Sequence, residues 1–214
     1  MTATEVWTPT DSINVLRKNG PYPFLLTGAI VDITRNHFST ASNICMPGLR
    51  ENLWNPDEKL SKILIDHGTL YNPRNVQQRP AVLINRADQT FKSVSIADRH
   101  HGAPVQDGYV EDTFTVQVNG SFNILCVERN GIAADMLGSE VGYMFTEFAD
   151  VIQRSLCLHQ FFVNGLSGPK QVDESSENFV TAVTMSYAAM HTWYVTKQTP
   201  IWARVNLKPT IEGE

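Results

Sequence analysis

Thr113-Phe-Thr-Val-Gln-Val-Asn-Gly-Ser-Phe-Asn-Ile-Leu-Cys-Val, residues 113–127, is two alternating runs about an Asn-Gly pair. Asn-Gly between such runs is the strongest short-range hairpin signal, because both residues accept positive φ. A two-residue loop, Asn119-Gly120, sets Phe122 opposite Gln117 and Ile124 opposite Thr115, mixing apolar and polar side chains on each face. A three-residue loop, Val118-Asn119-Gly120 with Gly120 left-handed, sets Val116 opposite Phe122 and Phe114 opposite Ile124. The second register keeps one face apolar and is preferred.

Downstream, the spacing predicts one helix over residues 132–158, about 40 Å long at the usual helical rise. Ala133, Leu137, Val141, Met144, Phe148, Ile152 and Leu156 recur every three or four residues as a single apolar stripe, set to lie on the sheet. Asn130 is the expected N-cap, with Asp135 near the positive end of the helix dipole. Ala134, Gly138 and Gly142 make a second row of small residues. Each glycine costs a helix about 1 kcal/mol relative to alanine, so another backbone should approach closely there, within the chain or from a neighbouring subunit.

Further strands are predicted at Ile63-Leu-Ile, at Arg79-Pro-Ala-Val-Leu-Ile-Asn-Arg and at Phe91-Lys-Ser-Val-Ser-Ile-Ala, with Ala87-Asp88-Gln89 as a hairpin loop between the last two. Phe179 to Thr196 alternates over a stretch longer than an ordinary strand, with Phe179, Val183, Met185, Tyr187 and Trp193 on one face, so a bend or a projecting strand is expected. Ile201, Ala203, Val205 and Leu207 suggest a last strand. Residues 100–109 and 164–178 are polar and broken and read as exposed loops. Residues 1–58 are punctuated by Pro and Gly turns and read as an arm outside the core, with short helices at 12–18 and 24–37. Ile30-Val-Asp-Ile within the second helix also reads as a strand. The domain proper is then 59–214. The whole is an α+β fold: a mixed or antiparallel sheet packed against one long helix, with an irregular N-terminal arm.

Charged residues make up 18% of the 214, below the roughly 25% of an average soluble domain, as for a surface partly hidden in permanent subunit contacts. The net charge of -5 gives no electrostatic footprint for gripping a phosphate backbone. Without an apolar run of about 18 residues or a signal-like start, the chain is expected to be soluble and unsecreted. Cys45, Cys126 and Cys157 lie far apart and are expected to be reduced, buried thiols.

Motifs for chemistry are scarce. The chain has no phosphate-cradling glycine motif, no Gly-x-Ser-x-Gly elbow and no cysteine pair at zinc spacing. A metal-dependent hydrolase could use only the segment from His100 to Asp112, where His100 and His101 stand near Asp98, Asp107 and Glu111. Adjacent histidines in an extended chain point apart, so a polar loop is the preferred reading. His37, His67, His159 and His191 read as surface or satisfied core histidines. No cofactor is expected. Contact residues are expected instead: Trp54, Arg79, Trp202 and Arg204, because Trp and Arg dominate interface hot spots, and Gly138 with Gly142 if the helix meets a neighbour.

Trp54-Asn-Pro-Asp, Ile63-Leu-Ile-Asp, Arg79-Pro-Ala-Val-Leu-Ile, Gly120-Ser-Phe-Asn-Ile-Leu-Cys and the helix opening Ile132-Ala-Ala-Asp-Met-Leu follow one another in an order and spacing that resemble tailed-bacteriophage neck and tail-terminator proteins over residues 50–208. The resemblance implies a virion subunit that assembles with copies of itself into a ring, commonly a hexamer, at the head-tail junction. Its partners would be neck, connector and tail-tube proteins, with DNA as passing cargo and no membrane. It implies neither catalysis nor a cofactor. A head-tail adaptor or stopper ring is the neighbouring alternative, and host cytoplasm would be the site of assembly. The N-terminal arm is less typical of the smallest members of that family.

Overall fold

The computed structural model describes residues 23–70, 80–93, 99–105, 109–172 and 177–198. The expected helix at 12–18 and strand at 201–207 lie outside them. The chain divides into two units, Met1–Lys92 with Gln117–His191, and Ser93–Val116 with Thr192–Glu214. The helices are α1 (Pro23–Phe38), α2 (Gly131–Glu147) and α3 (Ala149–Ser155). The strands are β1 (Leu64–His67), β2 (Ala81–Arg86), β3 (Thr90–Ser93), β4 (Arg99–Val105), β5 (Tyr109–Glu128), β6 (Gln160–Leu166), β7 (Lys170–Gln171) and β8 (Phe179–Gln198).

The sheet is mixed. Its path runs β1-β2-β5-β8-β6, with β1 parallel to β2 and the pairs β2/β5 and β6/β8 antiparallel. Register sorts the side chains by face. Ile65 stands beside Val82, Val82 beside Cys126, and Ile84 beside Ile124, and all five are buried in the main core with Val183, Met185 and Tyr187 of β8. The alternate row, Ala81 beside Val127 and Leu83 beside Leu125, makes a smaller cluster with Leu64 and Val180. Both faces of β2 are therefore apolar, which explains its near-continuous run Ala81-Val-Leu-Ile.

Several expectations change here. β5 is one strand of 20 residues that passes straight through Asn119-Gly120, so the hairpin at that pair does not form. β5 is instead paired to β4 across residues 106–108, with Val105 opposite Tyr109. The polar loop expected at 100–109 is thus in large part strand, with His100 opposite Thr113 and His101 opposite Asp112. Ala87-Asp88-Gln89 is a loop, but not of a hairpin, since β2 and β3 both pair with β5. β6 runs from beyond the end of the expected helix into the loop expected at 164–178, and β7 lies within that loop.

The single long helix is divided at Phe148, whose φ of -94° and ψ of 7° end α2 and begin α3. One turn earlier the Thr146 hydroxyl donates to the Gly142 carbonyl at 2.8 Å, a back-bond that bends helices. At the other end Asn130 caps α2 as its residue type predicts, accepting from the Ala133 N–H at 2.8 Å.

The described part of the expected arm, 23–58, is not outside the core. Leu25, Leu26, Ile30, Phe38, Ile44 and Leu49 are buried in it together with Ile63, Ile65 and Ile84. α1 earns that place by spacing: Leu26, Ala29, Ile30, Thr34, His37 and Phe38 fall on one helical face, so the helical reading of Ile30-Val-Asp-Ile holds over the strand.

In the second unit, β4 pairs with the first residues of β5, and the Thr115 and Thr192 hydroxyls lie 3.0 Å apart.

Candidate functional site

The most elaborate polar arrangement among the described residues centres on Glu140. Three residues after Leu137 and four before Met144, it falls within the apolar stripe of α2 and is 2% exposed. Oε1 lies 2.9 Å from Nε2 of His37 and accepts the Cys45 N–H at 3.0 Å; Oε2 accepts the Met46 N–H at 2.9 Å. A carboxylate can be taken out of water only when donors replace the lost hydration, and three do so here. An ionised carboxylate only accepts, so with Glu140 ionised Nε2 of His37 is the donor of this bond. His37 is therefore the satisfied core histidine its sequence context predicts. Glu140 was missed, although its spacing placed a carboxylate among apolar neighbours.

This clamp joins the last turn of α1, the irregular chain at 44–46 and α2, and its His37 lines one of two grooves beside α1. One, of about 360 Å³, lies between α1 and the α2–α3 pair and is lined by Ala29, Ile33, His37, Met144, Phe148 and Val151 among others. Phe148 and Val151 are 46% and 59% exposed at its rim. The other, of about 500 Å³, is polar and lies on another face of α1, where Asp32, Arg35, Trp54, Glu58 and Asp66 meet. There Arg35 stacks over the Trp54 ring at 5.3 Å, donates from Nε to the Ile65 carbonyl at 3.0 Å, and approaches Asp66 at 3.6 Å. Burial raises the pKa of Asp32 above the ordinary carboxylate value, and the nearby Arg35 charge opposes that shift.

Of the contact residues expected from sequence, Trp54 is half-buried and lines the polar groove. Gly138 is buried inside the fold: a β-carbon there would stand 2.5 Å from Thr181 Cγ2 and 3.0 Å from Leu166 Cδ1. The space beside Gly138 is filled by side chains of the chain's own strands, not by the approach of another backbone that its sequence position suggested. Gly142 faces Val183, with ordinary room for a β-carbon at 3.9 Å. Arg79, Trp202 and Arg204 lie outside the described residues. Of the cysteines, Cys126 is buried, and burial pushes its thiol pKa far up; Cys45 and Cys157 are exposed, contrary to expectation. Among the described residues no group of three or more His, Cys, Asp or Glu is placed to hold a metal ion. No helix among them is long and apolar enough to cross a membrane.

The remaining feature is the sheet's end. β6 packs against α2 and α3 and is the last strand of the path, with Phe162 and Leu166 49% and 43% exposed. Ile132 and Tyr143 of α2 are likewise exposed, at 77% and 62%. No protein-family model matches the chain, and no curated protein matches it.

Proposed function

We propose that this chain is a structural subunit that works by assembling with copies of itself at the head-tail junction of a tailed bacteriophage. It would close the tail tube or join it to the head connector while DNA passes through. The observation that carries the reading is the set of large apolar side chains left in water on α2, α3 and β6: Ile132, Tyr143, Phe148, Val151, Phe162 and Leu166. Single exposed apolar residues are ordinary; six on three successive elements, with Leu166 on the helix side of the sheet and Phe162 on the other, favour a contact role. The order of sequence motifs supplies the rest of the reading, including the tail-terminator-like domain and its partners. Net charge of -5 suits a wall past which a polyanion moves without sticking. The reading requires no catalysis and no cofactor.

Electron microscopy of phage particles, with the subunit located by labelling, tests this proposal, supported by native mass measurement of the purified protein. A ring of this chain at the neck is the expected result. A protein absent from particles, monomeric at every concentration and turning over a small molecule would overturn it.

A further inference from the structure

The two ends of the sheet are finished differently. At β1 the Arg35 guanidinium bonds the Ile65 carbonyl and Asp66 stands beside it, so charge guards that edge, as natural edge strands require. At β6 there is no such guard among the described residues. From Ser155 to Pro169 the chain has no Asp, Glu, Lys or Arg, and the same is true of residues 113–127 in β5 and 178–196 in β8. Those two strands have neighbours on both sides. β6 is thus composed as an interior strand and placed at an end. Among the described residues its protective device is the irregularity in register between Val163 and Gly165.

We infer that β6 is a docking edge for β6 of a second copy of this chain, the two strands running antiparallel about a two-fold axis so that the sheet continues from one molecule into the other. A second copy is the occupant favoured by charge. Each molecule has a formal charge of -5, so most surfaces of two copies repel; along residues 155–169 two acidic molecules can meet on a segment that itself carries no carboxylate. The guarded β1 edge is a poor mate for β6, whereas β6 is complementary to itself, as a two-fold contact demands. Phe162 and Leu166, already half in water, would be covered on both sides of the axis. This inference rests on no assignment to a virion and stands apart from the ring reading, because a two-fold contact closes on itself as a dimer, whereas a cyclic ring of one chain needs a head-to-tail contact elsewhere on the surface.

Native mass spectrometry across micromolar to hundred-micromolar concentration tests it, with hydrogen exchange resolved over residues 160–166. The wild type is expected at twice 24.0 kDa, with β6 amides slowed as the dimer fills. Phe162→Lys puts a charge on the edge without touching the core. It should weaken dimerisation by about tenfold or more while leaving the circular dichroism spectrum unchanged. Should Phe162→Lys fail to fold, Gln160→Lys, at another exposed edge position, carries the same expectation. A wild type that stays monomeric sinks the inference, as does a dimer that survives in a folded lysine variant or forms without slowing the β6 amides. A ring on particles from a protein that forms no β6 dimer in solution refutes the β6 edge and spares the ring; a β6 dimer from a protein absent from particles does the reverse.

Discussion

Cys157 follows α3 with φ of 54°, the left-handed conformation that a β-carbon makes costly by about 1–2 kcal/mol. Its surroundings explain why it is held there: the Leu158 N–H reaches back to the Gln153 carbonyl at 2.9 Å and the Cys157 N–H to that of Arg154 at 3.4 Å, the paired bonds of a Schellman helix end. Glycine is the residue that position favours. Cys157→Gly should therefore stabilise the protein by about 0.5–1 kcal/mol and raise its melting temperature by about 2 °C, and Cys157→Val should lower it. Thermal unfolding under reducing conditions reads both, and a lower melting point for the glycine variant would contradict the cap. Asp32 gives a second residue-level expectation. Because burial raises its folded pKa, the native state binds the Asp32 proton more tightly than the unfolded chain, whose value is near 3.8. Ionisation then costs stability as pH rises through that value, and the cost is absent below it. Asp32→Asn should melt above wild type at pH 7, with the difference shrinking towards zero as pH falls below 3.8. Equal differences at both pH values would mean that burial and the Arg35 attraction cancel, and a variant less stable relative to wild type at pH 7 than below 3.8 would mean that the Arg35 attraction governs this carboxyl.

At the scale of elements, β5 shows why a strong local signal can lose. Phe114, Val116, Val118, Gly120, Phe122, Ile124 and Cys126 all have even numbers, so the alternation never changes phase at Asn119-Gly120, and a straight strand keeps the same residues on one face. The glycine is needed for room: a β-carbon at 120 would stand 2.4 Å from the Tyr187 hydroxyl oxygen and 2.5 Å from Cζ, beneath a ring that also packs on Phe122 at 5.3 Å. Tyr187 is anchored from its far side by a hydrogen bond from Gln89. Gly120→Ala should cost about 1–3 kcal/mol, and the cost should fall markedly in a Tyr187→Leu background, since the two changes share one space. A double-mutant cycle by urea unfolding measures the coupling; additive effects would return Gly120 to a turn role. Glu140 was legible as a charge among apolar spacings, but its donors, His37, Cys45 and Met46, lie about a hundred residues away and no local pattern could name them. Glu140→Ala should cost about 3–5 kcal/mol, as when a buried charge partner is removed, and should speed hydrogen exchange at Cys45 and Met46 before the rest of the core opens. Unchanged exchange at those two amides would mean that the chain at 44–46 is held by other contacts. β6 was illegible for the opposite reason: Phe161-Phe-Val is too short an apolar run to outweigh the Asn164-Gly165 turn signal after it.

For the whole molecule, composition and alternation were enough to foresee a mixed α+β chain with one long alternating segment at 179–196, because those patterns are intrinsic to single strands and helices. What they could not assign was membership of the core. Turn formers cluster before residue 58, and a segment rich in Pro and Gly looks detached, yet burial depends on where the turns aim the chain. Here Met46-Pro-Gly-Leu makes a short 3₁₀ turn that buries Leu49 and sets Gly48 3.0 Å, measured from a β-carbon in its place, from the Met136 methyl of α2. The same path puts Leu25, Leu26, Ile30, Phe38 and Ile44 in one core with the sheet. Each such side chain contributes about 1.5–3 kcal/mol by leaving water, and a domain's net stability is only about 5–15 kcal/mol. Removing residues 1–49 therefore takes away about as much burial energy as the fold has to spare, and it also strips the His37, Cys45 and Met46 donors from Glu140. The truncated protein should show no cooperative thermal transition and should bind a hydrophobic dye at room temperature, while the full chain melts in one step with little dye bound. Were the truncated protein to melt cooperatively within a few degrees of the full chain, α1 would be an appendage after all, and the core would have to close over β1, β2 and β5 without it.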